Sequence, residues 1–216
     1  MAAGQNPDRM RADLEPELLL SAYANGIFPM ADEDGDIYWY SPDPRAVIPV
    51  ETFRASRSLR RVCRRQVYSV VIDRDFSAVI RACAHRPEGT WISSDIIEAY
   101  SGLHELGFAH SVEAREGGPQ GALVGGLYGV AIQGAFFGES MFHRQTDASK
   151  VALVHLVERM KARNMRLLDV QFMTDHLRSL GAVEIPRRQY LARLEAALRQ
   201  PCTFADPREV APENSE

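Results

Sequence analysis

The chain has 216 residues, 45% hydrophobic and 25% charged, with a formal net charge of -4. That size suits one ordinary domain, or a medium domain with a small appendage, and the apolar content is enough for a real core. The acidic balance excludes a protein that coats nucleic acid generally, while leaving room for a local basic patch. Cys63, Cys83 and Cys202 lie far apart in no metal-ligand spacing, which predicts structural thiols in a reducing compartment. The start "MAAGQNPDRMRADLEPE" has no apolar signal region, and "LVGGLYGVAI" is too short and glycine-rich to cross a bilayer. A cytoplasmic protein without membrane contact is expected.

In chain order, "DLEPELLLSAYANG" predicts a short first helix, N-capped by Asp13 and stopped at Asn25-Gly26. Residues 26–49, dense in Pro, Asp and aromatics, predict ordered loops with short strands. The segment "RASRSLRRVCRR" predicts an amphipathic helix with Leu59, Val62 and Cys63 inward; it carries six arginines in twelve residues and no acid. A strand at "VYSVVI" and helices at "DFSAVIRACA" and "SSDIIEAYSGLHELG" follow. The runs "AHSVEAR", "ALVGGLYGVAI" and "AFFGESMF" predict three strands joined by glycine-containing turns. Next come a helix capped by Asp147, the strand "MRLLDVQF", the short helix "DHLRSLG", the strand "VEIP" and the helix "RRQYLARLEAALRQ". The tail from Pro201 is polar and expected to be loose.

This order predicts an α+β protein with a mixed, mostly antiparallel sheet flanked by helices. It resembles GNAT-type acyltransferases, with a small N-terminal domain at 1–50, a catalytic domain at 51–200 and a polar tail at 201–216. A CoA-dependent member would need bare backbone N–H groups before the helix that follows "AFFGESMF". The chain has "HRQTDASK" there, and Asp147 would repel a pyrophosphate. The histidines, His104, His110, His155 and His176 among them, form neither a metal-ligand spacing nor a Ser-His-Asp order. No metal and no cofactor is expected.

In "LLDVQF", strand alternation sets Leu167, Asp169 and Gln171 on one side and Leu168, Val170 and Phe172 on the other. A carboxylate and an amide inside an apolar run must line either a satisfied internal network or an open cleft, because unpartnered burial costs about 2 to 7 kcal/mol for the amide and more for the charge. In "GES", the same alternation puts Glu139 and Met141 outward together, an acid beside an apolar side chain.

Nine stretches in order carry a resemblance: "GIFPM", "WYSPDPRAVIP", "SRSLRR", "GTWISSDIIEAYSGLHELGFAHSVE", "LVGGLYGVA", "FFGESMF", "DASKVAL", "LLDVQF" and "HLRSLGAVEIPRRQYL". Together they resemble the bacterial leucyl/phenylalanyl-tRNA–protein transferases. The resemblance implies transfer of Leu, Phe or Met from aminoacyl-tRNA to the α-amino group of a protein beginning with Arg or Lys, marking it for degradation. It implies that Asp169 polarises Gln171, whose carbonyl contacts the attacking amine; Asp169 acting as a base through water is the alternative. Glu139 would hold the cationic N-terminal residue or its amine. Leu127, Phe136, Met141, Leu156 and Leu168 match the family's pocket for the transferred side chain. Arg57 matches a position at the tRNA acceptor end, with Arg60, Arg61, Arg64 and Arg65 extending a phosphate track. Trp91 and Tyr100, with Trp39 and Tyr40, are candidates to receive the terminal adenosine, and Met30 stands where many members have Trp. A CoA-dependent N-acyltransferase and a non-catalytic tRNA-binding module are the competing readings. No heptad or exposed apolar stripe is evident, so a monomer is expected.

Overall fold

The computed structural model describes residues 14–32, 34–85 and 90–206. Asp13, the expected first cap, lies outside these residues. The first helix α1 (Pro16–Ala24) starts instead behind Glu15, with Pro16 at its first position, where a missing N–H costs nothing. A separate antiparallel hairpin, β1 (Phe28–Ala31) and β2 (Ile37–Tyr40), follows.

All other strands form one seven-stranded sheet. They are β3 (Arg45–Pro49), β4 (Ser69–Ile72), β5 (Ala109–Glu116), β6 (Ala122–Ile132), β7 (Ala135–His143), β8 (Leu167–Gln171) and β9 (Val183–Ile185), in the order β4-β5-β6-β7-β8-β3-β9. Only β7 and β8 run parallel; every other pair is antiparallel. The expected α+β protein, with a mostly antiparallel sheet flanked by helices, is what the chain forms. Within that sheet β3 lies between β8 and β9.

The helices α2 (Arg57–Arg64), α3 (Phe76–Ala84), α4 (Ser94–Glu105), α5 (Ala148–Ala162), α6 (Asp175–Ser179) and α7 (Arg187–Leu198) fall close to the predicted spans. Side chains of Ser56, Asp75, Ser93 and Thr174 cap α2, α3, α4 and α6 by accepting backbone N–H groups. Asp147 does not cap α5 in this way. Its backbone is left-handed, with φ of 64°, and its carboxylate accepts from Lys150 at 2.8 Å.

Strand alternation divides the core between the two faces of the sheet. One face buries Tyr128, Val130, Phe137 and Leu167 beneath α1, α3, α4 and α7. The other buries Leu127, Phe136 and Leu168 beneath α5, and α2 packs outside α5 through Leu59. The tail does not hang free over the described residues, since Phe204 is buried in the α5-side core.

Candidate functional site

Two interruptions of the sheet build the site. Along β6 and β7, Tyr128 pairs with Ser140 and Gly129 with Gly138, so Glu139 is an extra residue without a partner in the ladder. Such a bulge reverses the alternation beyond it. Glu139 keeps the side of Phe137, facing α1 and α4, while Met141, past the bulge, packs into the α5-side cluster. The expectation that the two project together fails for this reason.

Along β3 and β8, Ala46 pairs with Gln171 and Val47 with Asp169, skipping Val170. Gln171 takes φ of 60°, uncommon for a residue with a side chain. Asp169 and Gln171 still point to the same side, as alternation requires. Beyond Gln171 the chain turns, so Phe172 packs against Phe28 and Tyr40 rather than beside Leu168 and Val170.

The parallel ladder between β7 and β8 ends at Phe137 and Asp169, although β7 continues to His143. Past the end of that pairing, Gln171 Nε2 donates to Glu139 Oε1 at 2.8 Å.

Asp169 is fully buried. Its Oδ1 accepts Arg45 Nε and the Gln171 backbone N–H, both at 2.9 Å, and its Oδ2 accepts Arg45 Nη2 at 2.6 Å and the Tyr190 hydroxyl at 2.8 Å. Four donors saturate the carboxylate, which answers the question posed by "LLDVQF": Asp169 belongs to a satisfied internal network. Arg45, 1% exposed, also donates to the Gly26 carbonyl at 3.1 Å. Its guanidinium lies between the rings of Phe28 and Tyr190, 4.7 and 4.6 Å from their centroids. Burial alone would lower the Arg45 pKa, but the hydrogen bonds and charge of Asp169 raise it instead.

Glu139 is 7% exposed. Besides Gln171, Oε1 accepts the Tyr23 hydroxyl at 2.8 Å, Oε2 lies 3.4 Å from the Tyr100 hydroxyl, and the two tyrosine hydroxyls touch. Burial pushes the Glu139 pKa up to about 8; Asp169 adds to the rise, while the Tyr23 hydrogen bond and Arg45 oppose it. Burial also raises Tyr23 and Tyr100, so both remain protonated donors.

Tyr100, expected as a stacking surface for adenosine, is fully enclosed and acts on Glu139 through its hydroxyl. Trp91, Met30 and Trp39 pack against the same core cluster, on the face opposite α5, whereas Tyr40 is exposed. Leu127, Phe136, Leu156 and Leu168 are buried together in the α5-side cluster with Met141 packed against it. These five residues do converge. They sit across the sheet from Glu139. The three cavities that stand out among the described residues have neither set among their lining residues.

Arg57, Arg60, Arg61, Arg64 and Arg65 are all exposed on α2 and its C-terminal cap. Among the described residues none has an acid partner. A cavity of about 480 Å³ is lined by Arg57, Arg60 and Arg64 with Cys63 and Val154. Such a free cationic face matches phosphate oxygens by charge and by fork geometry.

Arg45, Tyr23 and Tyr190 were missed at the level of sequence. Arg45 had a legible signal, because "RAVIP" opens an apolar run with a charge just as "LLDVQF" encloses one of opposite sign. The tyrosines had none, since each sits where a helix would bury an aromatic residue in any case.

The pattern of the leucyl/phenylalanyl-tRNA protein transferase family matches residues 47–195, and that of its N-terminal domain matches residues 12–43. Leucyl/phenylalanyl-tRNA–protein transferases from Rubrobacter xylanophilus and Herpetosiphon aurantiacus are 56% and 54% identical to the chain. These alignments cover 89% and 90% of this chain and 99% and 100% of the relatives. The counterpart from Chlorobium luteolum is 54% identical over 87% of this chain and 97% of its own. Among solved structures, L-PGS from Bacillus licheniformis is 13% identical with a TM-score of 0.43, covering 74% of this chain and 54% of that one, a likeness too weak to bear on function. With a family pattern spanning most of its length and relatives more than half identical over nearly all of it, the chain belongs to the leucyl/phenylalanyl-tRNA–protein transferase family of aminoacyltransferase enzymes.

Proposed function

We propose that the protein transfers Leu, Phe or Met from aminoacyl-tRNA to the α-amino group of a protein or peptide whose first residue is Arg or Lys, without CoA, where the pairing of β7 and β8 ends. One observation carries this reading. Gln171 Nε2 is committed to Glu139, which leaves the Gln171 carbonyl oxygen without a partner among the described residues, at the tip of a strand beside a buried acid. The one parallel pair in a mostly antiparallel sheet, ending at Phe137 and Asp169 beside a bulge on β7, supports a GNAT-like core.

The substrate ester is already activated, so alignment and charge stabilisation are the main demands. An N-terminal amine titrates near about 7.7 to 8.0, so a sizeable share is neutral at cell pH. Its nitrogen attacks the ester carbonyl while its N–H donates to the Gln171 carbonyl. The carbon–oxygen ester bond breaks, the amine gives up a proton and the released ribose hydroxyl gains one. Asp169, enclosed and saturated, acts as a positioning residue: by accepting the Gln171 backbone N–H it holds the left-handed turn that aims the side chain. Glu139 faces the cationic acceptor. Burial favours its neutral form, and an arriving Arg or Lys would draw it towards the ionised one.

The α5-side cluster of Leu127, Phe136, Met141, Leu156 and Leu168 supplies the apolar environment for the transferred side chain. The arginines of α2 lie on that same side and take the tRNA backbone. Readout of phosphate charge makes binding salt-dependent and indifferent to tRNA identity. Among the described residues no helix is long and apolar enough to cross a membrane. Charged tRNA is a cytoplasmic substrate, and the protein is read as a cytoplasmic monomer. The test is incubation with leucyl-tRNA and a peptide beginning with Arg, without CoA. The expected result is leucyl-peptide; absence of product with Leu, Phe and Met alike would reject the proposal.

A further inference from the structure

The segment after α7 returns across the α5 face and seats one aromatic ring there. Phe204 is 3% exposed, and its ring centroid lies 4.9 Å from those of both Phe136 and His110. Arg159 fastens it twice, with its guanidinium 5.3 Å over the ring and its Nε donating to the Phe204 carbonyl at 2.6 Å. Arg163 holds Asp206 two residues on, at 2.6 Å. Two α5 arginines and two aromatic neighbours hold this segment more firmly than a frayed tail is held, so the fold fixes the position of the ring.

What lies on either side of that ring gives it a role. On one side is Phe136, a member of the cluster assigned above to the transferred side chain. On the other is a cavity of about 480 Å³, lined by Phe204 itself with Phe108, His110, Ala131, Ile132 and Cys202 among others. Phe136 has no slack towards the sheet: a methyl carbon added at Gly129 would stand 2.5 Å from Phe136 Cε1 and 2.2 Å from the Phe137 carbonyl oxygen. The absence of a side chain at Gly129 lets the Phe136 ring lie against the strand. Phe136 is thus fixed between bare backbone and Phe204, and the direction in which it could yield leads through Phe204 into open space.

We propose that Phe204 is a specificity-determining residue: it is the back wall of the pocket for the transferred amino acid, fixing Phe136 and thereby the pocket's depth. This rests on the assignment of the α5-side cluster to the transferred side chain. With the wall removed, the cavity behind it becomes continuous with the cluster, Phe136 can retreat, and a longer or bulkier side chain fits at less cost. The wild-type wall favours Leu over Phe to the extent that it limits depth.

The test is competition between leucyl-tRNA and phenylalanyl-tRNA for one Arg-initiated peptide, comparing the full chain with Phe204→Ala, Phe204→Leu and Leu156→Ala. A variant that is only less stable loses both products in proportion, so the product ratio is the decisive readout. Phe204→Ala should raise the Phe-to-Leu product ratio by about tenfold or more, within the range that one hydrophobic pocket wall commands, and Phe204→Leu should raise it less. Should Phe204→Ala fail to fold, judged by its melting curve, Phe204→Leu decides alone: a raised ratio supports the proposal and an unchanged ratio overturns it. If Leu156→Ala changes the ratio while both Phe204 variants leave it unchanged, the wall is refuted and the pocket stands. If all three leave it unchanged, the pocket assignment falls and the wall with it.

Discussion

Replacing Arg45 with Met keeps an unbranched side chain of similar length between Phe28 and Tyr190 but removes the cation. Asp169 would then keep only the Gln171 N–H and the Tyr190 hydroxyl as donors, while remaining enclosed. Breaking a buried pair from one side costs about 3 to 5 kcal/mol, because the other charge is left uncompensated. Against a typical total of about 5 to 15 kcal/mol, this is a large share. For a chain of this size it corresponds to a drop of roughly 6 to 20 °C in melting temperature. Adding Asp169→Asn to Arg45→Met removes both charges and should recover most of the loss, since an apolar or neutral replacement of a whole buried pair is often close to neutral. Thermal melts of the two single variants and the double variant at pH 8 measure this. A single variant melting with the wild type at pH 8, or a double variant no better than Arg45→Met, would refute the view that Arg45 neutralises Asp169.

Glu139 gives a pH signature. Its folded-state value, about 8, stands above the ordinary 4.5, so the folded protein binds the extra proton between these values. The corresponding contribution is fully present below about pH 4.5 and is lost as pH rises through 8, amounting to roughly 5 kcal/mol when integrated. Denaturant titrations should show stability of the wild type falling over that window, and Glu139→Gln should flatten the slope; equal slopes would show that the acid is not held neutral. Replacing Arg57 and Arg61 together with Ala should weaken tRNA binding and reduce the slope of log affinity against log salt by about 0.7 to 0.9 for each phosphate that is no longer neutralised. Filter binding across a salt series measures it, and an unchanged slope would take α2 out of the interface.

Periodicity made most of the fold legible, because the helical caps, the turns and the strand alternation are local. The site was legible in its residues but not in its directions. Asp169, Gln171 and Glu139 could be picked out as polar groups in apolar runs, yet Met141 takes the face opposite Glu139 because a bulge opposite Gly129 shifts the alternation by one residue. The turn of Phe172 away from Leu168 depends likewise on the positive φ at Gln171. Both are settled by the register between paired strands, which the alternation within one strand does not encode. Arg45 and Asp169 are 124 residues apart in sequence, so their pairing is a product of the β3–β8 register. Phe204 looked like tail because its neighbours are polar; its partners, Arg159 and Phe136, come from α5 and β7.

The role of Gln171 is measured most directly by single-turnover leucyl transfer with Gln171→Asn, paired with the variant's affinity for tRNA. Asn tolerates the left-handed backbone at this position and keeps an amide, but withdraws its carbonyl by one methylene. The expected result is unchanged tRNA affinity with transfer slowed about 100-fold, the usual consequence of misplacing a reacting group by about 1 Å. Transfer at the wild-type rate would contradict the claim that the Gln171 carbonyl receives the attacking amine.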